Sequence, residues 1–126
     1  MAKVRFIDIV PPGKTMSDEE VRDEINRRGY RPATPPEIDT AAKKQINKLR
    51  ETRQAKLDKL RDGYLLIAVL EPPRYRGNPD FRIAVLGKDK CIYWRHDLWF
   101  INRYNERWVF PVVRKRKQLS HLVLRS

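Results

Sequence analysis

Residues 29–38 read Gly-Tyr-Arg-Pro-Ala-Thr-Pro-Pro-Glu-Ile, and this stretch predicts where one helix ends and the next begins. Gly29 tolerates the positive φ that the residue after a helix often adopts. Thr34 is typical of a helix N-cap, Pro35 suits the first helical position, and Glu37 follows Thr34 at the spacing of a capping box. Because such capping signatures are mainly structural, we interpret the stretch as a corner between two helices.

The first helix is predicted from Asp18 to Arg28 and the second from Pro35 to Asp62. Ser17 and Glu20 provide another capping box at the start of the first helix. The second helix carries one apolar stripe at helical spacing. Arg53 falls inside the stripe, where it either extends its side chain to solvent or marks the point at which the helix leaves the core. The stripe consists of Ile38, Ala42, Ile46, Leu49, Leu57 and Leu60.

Apolar runs bounded by turn residues predict the strands. Pro111 lies within the last of them, which favours an edge position or a bulge for that strand. The order of strand, two helices and several further strands predicts an α+β fold, with two helices packed on one face of a small, mainly antiparallel sheet. The predicted strands are residues 3–10, 64–70, 81–86, 91–94 and 107–113, with a tight turn at 87–90.

The corner at residues 29–34 also resembles a pattern in short bacterial proteins of unassigned function. In those proteins a Gly-Tyr-Arg-Pro-Ala-Thr corner is followed by a glutamate, two strands, a tryptophan region and an aromatic-apolar-Val-Arg strand. The similarity would cover most of residues 4–115, and this chain differs by a longer, more basic second helix and by the residues after Arg114. The resemblance implies a fold and no particular activity. The similar segments here are Leu66–Leu70, Arg82–Gly87, Trp94–Phe100 and Phe110–Arg114.

Length and composition predict one folded domain over residues 1–126, with 114–126 as a basic tail that a partner could order. Hydrophobic residues make up 40% of the chain and charged residues 35%, as in a heavily charged folded protein. The single cysteine, Cys91, cannot form an internal disulfide, which is typical of the cytoplasm. We expect no membrane partner, because no apolar run reaches the length of a span and residues 1–10 lack signal-peptide features.

The formal net charge of +12 is the strongest indication of function in the sequence. A basic excess favours polyanions, because contacts with phosphates release counterions. Acidic proteins and anionic membrane surfaces also attract a basic excess. Solubility is the alternative explanation, although a charge of this size exceeds the usual range for a small domain.

The aromatic residues are densest in residues 93–110, where arginines alternate with them and a basic run follows. Rings that stack on bases beside cations that bind phosphates are typical of single-stranded nucleic acid binding, although aromatic residues also dominate small cores. Trp94 and Trp99 are the candidate stacking residues. The cations of the second helix support the site or form a solvated helix face. The candidate phosphate contacts are Arg103, Arg107, Arg114, Lys115, Arg116 and Lys117, with Lys43, Lys44, Lys48 and Arg50 in support.

The sequence offers no convincing catalytic set, metal site or cofactor motif. His96 and Asp97 are adjacent, and in a strand such neighbours point to opposite faces. Nothing marks Cys91 as an activated thiol. We therefore expect a protein that is not an enzyme and needs no cofactor or metal. The leading hypothesis is RNA or DNA binding without strong sequence preference. The alternative is a protein-interaction or accessory module that meets an acidic partner in a larger assembly.

Overall fold

Strand β10 (Trp108–Arg114) has neighbours on both sides and pairs with three other strands of the described chain. The computed structural model describes residues 3–61, 63–70, 74–75, 78–79, 82–86, 92–96 and 103–115. In these residues the helices lie in the first half of the chain and a run of mainly antiparallel strands follows them, so the predicted α+β class is confirmed. The other elements are β1 (Val4–Ile7), β2 (Thr15–Ser17), α1 (Asp18–Arg27), β3 (Tyr30–Pro32), α2 (Pro35–Thr52), α3 (Gln54–Asp58), β4 (Leu65–Ile67), β5 (Arg74–Tyr75), β6 (Asn78–Pro79), β7 (Arg82–Leu86), β8 (Ile92–His96) and β9 (Arg103–Asn105).

Among the described residues, the largest sheet has six strands in the order β1-β10-β4-β7-β8, and β3 also pairs with β10. Every pair in this sheet is antiparallel except β10 with β4, which is parallel. Two further pairs, β2 with β9 and β5 with β6, are separate two-stranded sheets. Of the two alternatives predicted for residues 107–113, an edge strand or a bulge, the edge is wrong, because β10 has neighbours on both sides.

Pro111 fits inside this strand because its nitrogen, which has no hydrogen to donate, points toward the gap between β4 and β3. The N–H and C=O of one residue in a strand point to the same side, and the Pro111 carbonyl accepts from the Ala33 N–H at 3.0 Å, away from β1. On that side β4 pairs with β10 as far as Val109, and β3 takes over at Val112. The proline nitrogen therefore lies between the last residue that pairs with β4 and the first that pairs with β3, where the sheet loses no hydrogen bond.

The helices lie on opposite faces of the sheet. Trp108, Phe110 and Val112 of β10 pack with α1 residues in one apolar cluster. Val109 and Val113, which alternate with them, pack in separate clusters that contain residues of α2 and α3. Since alternate residues of a strand face opposite sides, the expectation that both helices pack on one face is wrong. A central strand that is apolar on both faces requires a cover on each side.

The corner at residues 29–38 is confirmed at both helix ends. Gly29 has a φ of 85°, and the Thr34 side chain and Glu37 form the complete capping box at the start of α2. The equivalent box of Ser17 and Glu20 begins α1. Between the helices the chain also forms β3, which the sequence did not predict. The corner therefore fixes the two helices and also adds a strand beside β10.

The predicted second helix is interrupted at Arg53, so the prediction of one helix from Pro35 to Asp62 is wrong. Helix α2 ends at Thr52, and α3 begins at Gln54. Arg53 leaves helical geometry, with φ −121° and ψ 19°, and its side chain turns inward instead of extending to solvent. Leu49 and Leu57, on either side of the break, are both buried in one cluster, so the apolar stripe is kept.

No helix in the described part of the chain is both long and apolar enough to cross a membrane. The predicted turn at 87–90, Trp99 and the tail from residue 116 onward lie outside the described residues. Arg114, the first residue of the predicted tail, is the last residue of β10.

Candidate nucleic-acid interface

A groove lies between the outer edge of β1 and helix α2. Within the described residues β1 pairs only with β10, so its other edge faces the helix. Val4 is buried with α2 residues, and Phe6 packs against the same cluster. Arg5 and Ile7 alternate with them and therefore belong to the other face, where Ile7 joins the α1 cluster. The edge of β1 thus forms the floor of the groove.

The groove contains two adjoining cavities of about 510 and 370 Å³. Lys3, Val4 and Gln45 line both of them. The first cavity extends to Glu37 at the start of α2, and the second extends to Arg53 at its end. The groove therefore follows most of the length of the helix.

Four exposed cations border the groove: Lys3 and Arg5 on β1, and Lys44 and Lys48 on α2. One helical turn of about 6 Å separates Lys44 from Lys48, and about 7 Å along the strand separates Lys3 from Arg5. No hydrogen-bond or ion-pair partner in the described ranges reaches these four side chains. Two rows of uncompensated positive charge therefore run beside the groove. Lys3 and Arg5 form the row on β1, and Lys44 and Lys48 form the row on α2.

The other predicted helix cations are placed differently. Lys43 forms an ion pair with Asp39, at 3.1 Å, and its charge is therefore partly compensated. Arg50 is half-buried and lines neither cavity. Of the four predicted helix cations, Lys44 and Lys48 are the two that the structure brings to the groove.

Side chains from the helix region cover the outward carbonyls of β1. Gln45 Nε2 donates to the Val4 oxygen at 3.1 Å. Arg53 Nη2 donates to the Phe6 oxygen at 2.8 Å and forms an ion pair with Asp8 at 3.2 Å. The inward turn of Arg53 thus closes the far end of the groove.

The basic end of β10 lies at the other end of the groove. Val4 is paired with Val113, so the next residues along this antiparallel register, Lys3 and Arg114, are neighbours. The Arg114 guanidinium lies 5.6 Å from the centre of the Tyr30 ring, and the Lys115 N–H donates to the Gly29 oxygen at 2.9 Å. Arg114 and Lys115 are both exposed. Arg114 is therefore next to Lys3 along the sheet, on the face that α1 covers. Neither Arg114 nor Lys115 lines the two cavities.

Arg103 and Arg107 lie at the opposite end of β10. Arg107 precedes the strand and Arg114 ends it, which separates them by about 20 Å. Arg103 Nε donates to Thr15 Oγ1 at 2.9 Å, and Arg107 Nε donates to the Tyr64 oxygen at 3.2 Å. The predicted set of C-terminal arginines is therefore divided between two distant sites.

The described aromatic rings of the C-terminal region belong to the core. Tyr104, Trp108 and Phe110 are all buried, and the Tyr104 ring meets the other two edge to face at 5.2 and 5.3 Å. Burial, with the nearby Asp18 carboxylate, raises the pKa of the Tyr104 hydroxyl. Trp94 lies in β8 opposite Ala84, and its side chain, like all of Trp99, lies outside the described residues. The stacking role of these two tryptophans stays a prediction.

Glu37 lines the groove at the start of α2, where it forms an ion pair with Arg31. Two hydrogen bonds, at 3.0 and 2.9 Å, join the guanidinium to the carboxylate. Glu37 also accepts from the Thr34 N–H at 2.9 Å. The Arg31 hydrogen bonds are the main reason that the pKa of Glu37 falls from its usual 4.5 to about 2. The Glu37 carboxylate is thus ionised, but the Arg31 charge balances it, so it adds little repulsion toward an anion in the groove.

Lys3 and Arg5 are functional candidates that the sequence analysis missed. Their signal was present, because cations alternate with Val4 and Phe6 within a predicted strand, but the alternation alone does not show which strand lies beside α2. The described residues contain no group of three or more potential metal ligands. Cys91 and Asp97 lie outside the described residues, so the expected absence of catalytic chemistry stays a prediction.

Comparisons of the chain with protein-family models, with curated proteins and with solved structures gave no match. The resemblance to short bacterial proteins therefore stays a prediction, and a proposed function depends on the geometry and charge of the groove.

Proposed function

We propose that this protein binds RNA or DNA without strong sequence preference, through the groove between β1 and α2. The observation that carries the proposal is the double row of uncompensated cations, Lys3 and Arg5 opposite Lys44 and Lys48, along one groove. Arg114 and Lys115 extend the basic surface where the groove opens, and the basic residues Arg116 and Lys117 follow in the sequence.

Electrostatics supports a polyanion as the ligand. A phosphate chain that lies along the groove meets a cation every 6 to 7 Å, by the approximate helix and strand spacings. Each neutralised phosphate releases counterions, so the affinity comes largely from the solvent ions that are freed. The site as described lacks an exposed set of base-reading side chains, and binding is therefore expected to depend weakly on sequence.

The test is a fluorescence anisotropy titration of short single- and double-stranded RNA and DNA over a salt series. The test variant is Lys44→Gln with Lys48→Gln. The matched control is Lys14→Gln with Lys43→Gln, which removes the same charge at two exposed lysines that line neither cavity. For single strands, the loss of two phosphate contacts is expected to reduce the slope of log K against log salt by about 1.4.

Binding that is insensitive to salt, or no binding at low salt, would overturn the proposal. An equal loss in the control variant would show that total charge and not the groove determines affinity. The same cations also suit an acidic protein partner, which was the alternative expectation from the sequence. Capture of one such partner after nuclease treatment, with no nucleic acid binding by the purified protein, would favour that alternative.

A further inference from the structure

The backbone of β1 presents a regular pattern toward the groove. In the antiparallel pairing with β10, Arg5 lies opposite Val112 and Ile7 opposite Phe110. The outward carbonyls are those of Val4 and Phe6, since Gln45 and Arg53 reach them from the helix side. Each residue of a strand directs its N–H and C=O to the same side. The N–H groups of Val4 and Phe6 therefore also point away from β10, into the groove.

On this edge the two carbonyl oxygens accept hydrogen bonds from side chains, whereas the two backbone N–H groups donate to none of the described residues. The Val4 oxygen accepts from Gln45 at 3.1 Å, and the Phe6 oxygen accepts from Arg53 at 2.8 Å. Neither the Val4 N–H nor the Phe6 N–H has an acceptor among the residues that the structure describes. The two donors lie about 7 Å apart, between the cations of β1 and those of α2.

The geometry points to a phosphate-binding subsite in which these two N–H groups donate to successive phosphates of a single-stranded nucleic acid. This inference rests on the proposed function and specifies the form of the ligand. A peptide strand needs both donors and acceptors to extend a sheet, and here Gln45 and Arg53 have taken the acceptors. A phosphodiester chain offers only acceptors at its phosphates, so it matches an edge that retains only donors.

The position of the donors selects a single strand. They lie on the strand edge beneath α2, where the adjoining cavities hold about 510 and 370 Å³. Only a chain that enters the groove reaches them, whereas a duplex would contact Lys44 and Lys48 at the rim. Gln45 and Arg53 are accordingly specificity-determining residues, because they keep β1 from pairing with another strand and leave it open to an anion.

Amide NMR of the full-length protein tests this inference with an internal control. In the free protein, the N–H groups of Val4 and Phe6 should exchange with solvent faster than those of Arg5 and Ile7, which face β10. Addition of an eight-residue oligothymidylate should move the Val4 and Phe6 amide protons downfield and slow their exchange. The Arg5 and Ile7 amide resonances should change much less.

A second measurement replaces the Val4 N–H by an ester oxygen, using the α-hydroxy analogue of valine. Because that N–H has no acceptor in the free protein, the urea midpoint should stay nearly unchanged. Affinity for the oligothymidylate should fall about 10- to 100-fold, as expected for one lost hydrogen bond to a charged group.

The outcomes separate this inference from the proposed function. Salt-dependent binding of the oligothymidylate without the alternating amide response, or with full affinity in the ester variant, would overturn the subsite and leave the proposed function standing. Equal affinity for single strands and for duplexes of the same length would also overturn it. Failure of the oligothymidylate to bind at low salt would overturn both.

Discussion

Replacement of Glu37 by glutamine tests how strongly the corner at residues 29–38 stabilises the fold. Glutamine retains an oxygen that can accept from the Thr34 N–H, so the capping bond is kept. It loses the charge that binds Arg31 through two hydrogen bonds at 3.0 and 2.9 Å. The variant therefore isolates the ion pair from the cap.

The expected magnitude follows from the pKa of Glu37, which is lowered from 4.5 to about 2. A shift of this size corresponds to about 3 kcal/mol of stability. Because the Arg31 side chain is 42% exposed, solvent screening should reduce the contribution to about 1–2 kcal/mol. Glu37→Gln is expected to lower the free energy of unfolding at pH 7 by that amount.

The pH dependence has a definite sign. Since the pKa of Glu37 is lower in the folded protein, the unfolded chain binds more protons between pH 4.5 and about 2. The contribution of the ion pair is therefore complete above about pH 5 and is lost as the pH falls toward 2. The difference in stability between the wild-type protein and Glu37→Gln should be largest at neutral pH and should shrink over this range.

Urea unfolding at pH 7 and at pH 3, followed by circular dichroism, measures the effect. Arg31→Gln is the matched partner variant, and the double variant closes a thermodynamic cycle. A wild-type advantage that stays constant between pH 7 and pH 3 would refute the reasoning. So would additive effects of the two single substitutions, because they would show that the carboxylate and the guanidinium are not coupled.

Two further substitutions test features of the fold by the same urea measurement. Arg53→Ala should destabilise the protein by about 2 kcal/mol, because it removes a charged hydrogen bond to the Phe6 oxygen and an ion pair with Asp8. Lys56→Ala removes only an ion pair with the half-exposed Asp8 and should cost well under 1 kcal/mol. A larger loss of stability in the Lys56 variant than in the Arg53 variant would contradict this ranking. Gly29→Ala should cost about 1–2 kcal/mol, because the φ of 85° at Gly29 is unfavourable for residues with a Cβ. The cost is one of backbone conformation alone, since an added Cβ would meet no atom within 4 Å. Gly29→Asn should cost less, and equal stability of the Ala variant and the wild type would count against this explanation.

Local features of the fold were predictable from the sequence. Both capping boxes and the positive φ of Gly29 depend on residues within one or two turns of each other, so the pattern of side chains defines them. The apolar run at residues 64–70, which contains β4, also indicated a strand. These elements gave the correct α+β class.

Features that depend on distant partners were not predictable. Pro111 suggested an edge, because the sequence does not show that β4 gives way to β3 at that position. Arg53 breaks the second helix to reach the carbonyl of Phe6 and the carboxylate of Asp8, both far away in the sequence. The helix cations Lys44 and Lys48 were recognised, but their partners on β1 required knowledge of which strand lies beside α2.

The position of β10 has a consequence for how the chain folds during synthesis. The strands that it joins, β1, β3 and β4, all precede it in the sequence. Until residues 108–114 leave the ribosome, β1 and β3 have no partner in the described sheet, and the apolar faces of α1 and α2 lack the side chains of β10. Contacts of such long sequence separation close late and slowly. The nascent chain must therefore keep its unpaired strands from aggregating until this one segment completes the sheet.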